Sequence, residues 1–187
     1  MVVNEDGENK IAQYGQWDHY PSGNGLVCLE FLRDFNLTLF KEKLSRVRFL
    51  TNDDIINYNN YLNEINPEGG FLSNEKIDLL NKKYPYFSRN HGSYILQMIY
   101  DSNDNEILLS NNIEFATDSL FCEYGYLIDL KNNLFEIYKG FNNELLSDNE
   151  RFKYLETDDE YKPIRLFKSY NLDYLPTNEQ FLSDLQN

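Results

Sequence analysis

The chain has only two cysteines, Cys28 and Cys122, two histidines, His19 and His91, and one tryptophan, Trp17, in 187 residues. Two thiols so far apart cannot form the dense disulfide framework that staples small secreted domains, so a reducing, cytoplasmic setting is expected. None of these four soft ligands forms the short paired spacing of a zinc site, and no structural metal is expected. Gly-x-Gly-x-x-Gly, Gly-Lys-Ser/Thr and Gly-x-Ser-x-Gly are all missing, and with them the common signatures of dinucleotide, nucleoside triphosphate and serine-hydrolase sites. No cofactor is expected. Long apolar runs are missing too: none approaches the length a bilayer needs, and no basic-then-apolar leader opens the chain, so no membrane association is expected.

Positive charge is also scarce. Lys and Arg number 17 against 31 Asp and Glu, a net charge of −14. Affinity for phosphate backbones comes from cations that release counterions, so direct nucleic-acid binding is not expected. The partner such a surface suits is a basic protein, or a complex that itself binds nucleic acid. A competing reading is plain solubility, for which an acidic surface suffices.

What is present is a core. Apolar residues make up 41% of the chain and aromatics 16%, too rich for disorder, and the length suits a single domain over residues 1–187. Two short β-prone runs flank Asp6-Gly7, a hairpin signal, and a second hairpin spans 124–130 and 134–138 across Lys131-Asn132-Asn133. Between them the spacing predicts helices. One covers 26–33; a second is capped by Asn36, with Leu37, Phe40, Leu44 and Val47 on one face. A third opens at Thr51 or Asn52 and buries Ile55, Tyr58, Leu62 and Ile65; a fourth is capped by Ser73 with Ile77 and Leu80 inward. A fifth runs from about Asn90. Residues 106–109 form a short strand, 147–154 a short helix, and 163–170 a strand whose Arg165 and Lys168 mark it as an edge. Thr177 and Gln180 make a capping box for a terminal helix. The pattern predicts an α+β fold, an antiparallel sheet from the N-terminal and C-terminal hairpins packed against central helices.

The stretch 13–25, Gln-Tyr-Gly-Gln-Trp-Asp-His-Tyr-Pro-Ser-Gly-Asn-Gly, links the first hairpin to the first helix. Gln16, Trp17, Asp18 and Tyr20 put an amide, an indole, a carboxylate and a phenol on one loop, a mixture suited to a flat polar ligand or a protein partner. The competing reading plugs the core with Trp17 and caps the next turn with Asp18. Asp118 and Glu123 join the candidate binding residues, as carboxylates that folding could bring beside Asp18.

Residues 12–18 with Tyr20-Pro21 and Gly23, Ser88-Arg89 with Gly92, Ala116 with 118–123, Ile128-Asp129-Leu130, and Leu175-Pro176-Thr177 together resemble an uncharacterised family associated with phages, prophages and some fungi. Its usual loop reads Gln-Trp-Asp-Gly-Tyr-Pro; here His19 replaces the glycine. The chain also begins closer to its first strand than those relatives do, so an N-terminal catalytic residue, if the family uses one, is not carried over. The resemblance implies a mobile-element origin and, by association, an inhibitor of host defence of the anti-CRISPR kind.

Three functions follow as expectations. The first is an acidic binding protein that blocks a defence complex, with no catalytic residue assigned. The second is an amidase-like hydrolase using Asp18, Glu123 or Cys122, with His19 or His91 as base. The third is a sponge for a signalling nucleotide, which requires Trp17 or Tyr20 in a deep pocket with Arg89 or Lys139 at its rim. The carboxylates of 148–150 and 156–160, with Asp173 and Asp184, are either a phosphate-like track or solvated loops.

Overall fold

A computed structural model describes residues 1–186. The fold is α+β. β1 (Val2–Glu5) and β2 (Glu8–Ala12) form the first hairpin, turned by Asp6 and Gly7, both at positive φ, as a two-residue turn that matches strand twist requires. β5 (Tyr124–Asp129) and β6 (Leu134–Lys139) form the second, and β7 (Arg165–Asn171) lies beyond β6 at the sheet edge. The order is β2-β1-β5-β6-β7, antiparallel except where β1 runs parallel to β5. β3 (Val47–Phe49) and β4 (Ile107–Leu109) make a separate parallel pair.

Alternation along β5 and β6 sends Tyr126, Ile128, Phe135 and Ile137 to one face of the sheet, against α1 (Leu26–Asp34), α2 (Leu37–Leu44), α5 (Ile95–Asp101) and α6 (Asn178–Asp184). Phe40, Leu29, Ile99 and Phe181 are fully buried in this core. The other face is covered as well: Leu127 and Tyr138 pack under Ala116, Leu146, Phe152 and Ile164 from the long connections. Covering that face also buries Asp129 and Glu136, which a solvated face would have left wet. Arg151 reaches both, at 2.6 Å and 2.9 Å, and the Tyr138 hydroxyl donates to Glu136 at 2.9 Å. Burial alone would raise the Asp129 carboxyl, but hydrogen bonds from Asn132 and Arg151 outweigh it and hold the group below its ordinary value.

Several local expectations shift. α2 ends at Leu44, so Val47 opens β3 instead of extending the helical stripe, and Leu37 is exposed. Gly92, at positive φ, prevents a helix from Asn90; a tight turn at Gly92–Tyr94 leads into α5. No α-helix forms over 147–154, where the Glu150 carboxylate accepts from the Ser147 amide and hydroxyl and Arg151 turns inward to its carboxylates. Side-chain bonds of this kind compete with the helical ladder. α3 (Asn52–Ile65), with its Thr51–Asp54 capping box, and α4 (Asn74–Lys83), capped by Ser73, form where expected, yet neither buries a residue.

Candidate functional site: the Trp17 loop and its cavity

The connection 13–25 leaves the end of β2 and crosses the end of the sheet where β5 begins and β6 finishes. Below it lies a cavity of about 400 Å³, within the range of small-ligand sites. Tyr14, Phe115, Tyr138, Phe152 and Ile164 line it, with Trp17, Tyr20, Phe121 and Glu123 where it opens to solvent. Trp17 is 66% exposed and Tyr20 55%, so the indole is not a core plug. The same Trp17, Asp18 and Tyr20 also wall a second hollow on the side of Leu26, Glu30 and Tyr94, which makes the loop a partition with both faces accessible.

The loop holds its shape through buried polar contacts. Asn24, 7% exposed, donates from Nδ2 to the carbonyls of Trp17 (3.0 Å) and Asp18 (2.9 Å) and accepts the Ser93 amide. Tyr126 donates its hydroxyl to the His19 carbonyl at 2.7 Å. Asp18 sits at φ 57°, a left-handed conformation that Asp tolerates better than most residues. Trp17 before it and Tyr20 shortly after it are both largely exposed. The His19 ring lies over Gly15, where a Cβ would fall 1.8 Å from Cε1. Its Nδ1 is 3.1 Å from the Trp17 carbonyl and so carries the proton, leaving Nε2 buried without a partner among the described residues. Burial pushes this imidazole down to about 4, and it is neutral at pH 7.

Five of the six residues singled out from sequence, Gln16, Trp17, Asp18, Tyr20 and Glu123, meet on this cavity. The Tyr20 phenol donates to the Glu123 carboxylate, which raises the phenol above its ordinary value, and its ring meets Tyr124 edge-on at 6.0 Å. Asp118 does not join them. It lies off the wall in a turn whose carbonyl accepts the Phe121 and Cys122 amides. Asn24, Gln13 and Tyr126 were not among the candidate binding residues; the one available signal for Asn24 was its place in the Gly23-Asn24-Gly25 turn before an apolar helix.

The thiols are poorly suited to nucleophilic work. Cys122 lines the cavity, but burial pushes it up to about 12; Cys28 is fully buried, pushed up to about 12 by the same cause, with its sulfur 3.0 Å from Ser93 Oγ. His91 stands in the second hollow, Nε2 bonded to the Pro85 carbonyl at 2.7 Å, away from Cys122. Neither Arg89 nor Lys139 is on the cavity wall; the Arg89 guanidinium lies 5.9 Å from the Tyr14 ring centroid. Among the described residues, no group of three or more His, Cys, Asp or Glu is placed to hold a metal ion, and no helix is long and apolar enough to cross a membrane. Comparison with protein-family models, with curated proteins and with solved structures finds no match.

Proposed function

We propose that this chain is a non-catalytic binding protein that grips a basic protein partner through the Trp17 loop and the cavity beneath it. The observation that carries the reading is the outward presentation of Trp17 and Tyr20, together with Asp18 and Glu123, at the mouth of a preformed cavity. Exposed aromatics anchored on a tethered loop supply contact area with little ordering cost, and the carboxylates beside them favour a cationic counterpart. Support for an acidic track over 148–160 is weaker, because Glu150 and Glu156 are already paired with Arg165 and Lys153 of the same chain. The resemblance to a mobile-element family makes a host defence complex of the kind anti-CRISPR proteins block the first partner class to examine. Affinity capture with the full chain, compared with Trp17→Ala and the pair Asp18→Asn/Glu123→Gln, tests the reading. A basic protein should be retained at low salt, released at high salt, and lost at least tenfold in both variants. Capture of no such protein, or capture indifferent to Trp17, would refute it.

A further inference from the structure

The nature of the group that enters the cavity can be taken one step further, resting on the binding role proposed above. The wall carries two carboxylates, Asp18 and Glu123, many aromatic rings, and no lysine or arginine side chain. Gln13, 5% exposed and also on the wall, donates from Nε2 to the Ser88 carbonyl at 3.3 Å. Its Oε1 accepts from nothing among the described residues. That oxygen is out of reach of solvent, so it belongs to the packing behind the wall. Of the basic groups on the wall, the Met1 ammonium is already engaged, donating to the Gln13 carbonyl at 2.9 Å, and the His19 imidazole is neutral.

Aromatic faces and carboxylates on the wall favour the same occupant, a cation rich in N–H donors. We infer that the cavity receives the side chain of an arginine presented by the protein partner, its guanidinium against Trp17 and Tyr20 and paired with Glu123. Arginine fits better than lysine here. Its planar, weakly hydrated guanidinium stacks on rings and meets a carboxylate through two parallel hydrogen bonds, whereas an ammonium is a strongly hydrated point charge. An anionic ligand such as a nucleotide would meet two carboxylates with no cationic side chain on the wall to offset them.

Trp17, the only tryptophan, is a built-in reporter. The full chain is titrated with acetyl-Gly-Arg-Gly-amide and with the same peptide carrying citrulline, which keeps the shape of arginine and removes its charge, while Trp17 emission is followed. The arginine peptide should give a saturable change, the citrulline peptide should bind at least tenfold more weakly, and Glu123→Gln should weaken the arginine peptide at least tenfold. Asp18→Asn, which retains a side chain tolerant of positive φ, provides a second variant, and far-UV circular dichroism verifies that each variant is folded. An absent saturable response, or equal binding of arginine and citrulline, overturns the inference. If that happens while partner capture still depends on Trp17, the binding role stands and only the arginine falls. Capture indifferent to Trp17 removes the binding role itself.

Discussion

His19 shows how one buried residue ties the loop to solution conditions. In the unfolded chain its imidazole titrates near ~6.5, whereas in the fold burial holds it at about 4. Between those values the unfolded chain binds the proton and the folded chain does not, so stability is complete above the higher value and declines as pH falls toward the lower. The slope is at most about 1.4 kcal/mol per pH unit for one such group. Urea midpoints should therefore fall between pH 6.5 and 4.5, and His19→Gln should flatten that part of the profile. The Met1 amine, also lowered by burial, acts with the same sign from its ordinary value of 8.0 downward, but it is common to both proteins and cancels in the comparison. Gly15→Ala gives an independent readout: its Cβ needs the space the imidazole occupies, so the His19 titration followed by NMR should move up toward ~6.5 as the ring is expelled. Arg151 is the second residue whose removal should be felt. Without it Asp129, 1% exposed, and Glu136, 6% exposed, face each other's burial with no cation, and Arg151→Ala should destabilise by about 3 kcal/mol in urea denaturation. Adding Asp129→Asn and Glu136→Gln should recover part of that loss; a variant as stable as the parent would mean that the pair is solvated in solution.

At the scale of elements, the helices divide into those that belong to the core and those that do not. α1 and α5 bury residues such as Cys28, Leu29, Leu96 and Ile99, whereas α3 and α4 bury none and leave Ile55, Ile56, Ile77 and Leu79 more than a third exposed. They rest on each other and on Tyr84 and Phe87 through partly exposed rings, with Lys83 over Tyr61 at 3.7 Å. Few buried contacts mean a low local opening free energy, so amides of α3 and α4 should exchange with solvent well before those of α1, β5 and β6. Equal protection throughout would show that α3 and α4 are covered in solution. The same helices mark the limit of what the sequence could disclose. Their starts depend on residues a turn apart and were legible, Ser73 as a cap and Thr51 as one of two alternatives with Asn52; their burial depends on which distant segments arrive above them, which periodicity does not encode. The hairpin at Asp6-Gly7 and the Thr177–Gln180 box were legible for the same local reason. The parallel pairing of β1 with β5, the small β3–β4 sheet and the covering of the second sheet face are long-range events, and none was anticipated. The candidate site was legible as a loop rich in mixed chemistry. Its convergence with Glu123 came from the fold, and so did the exclusion of Asp118.

For the whole molecule, the excess of carboxylates separates the energetics of folding from those of binding. The ion pairs in the structure, such as Arg46 with Glu42 and Lys10 with Glu8, are mostly exposed, and pairs of that kind contribute about 0–1 kcal/mol each. They do not remove the self-repulsion of a chain carrying a net charge of −14, which opposes the compact state over distances longer than any single pair. Raising salt from about 0.01 M to about 0.15 M shortens the screening length from roughly 30 Å to roughly 8 Å. Self-repulsion is therefore relieved, and the thermal midpoint of the isolated protein should rise over this interval. Attraction to a basic partner is screened by the same ions, so the complex should weaken over the same interval, mainly through slower association. The two measurements must move in opposite directions if the negative charge is used for recognition. A complex whose affinity is unchanged while the protein itself gains stability would place the recognition in the apolar surface of Trp17, Tyr20 and Phe121 alone, and the partner would then have no need to be basic.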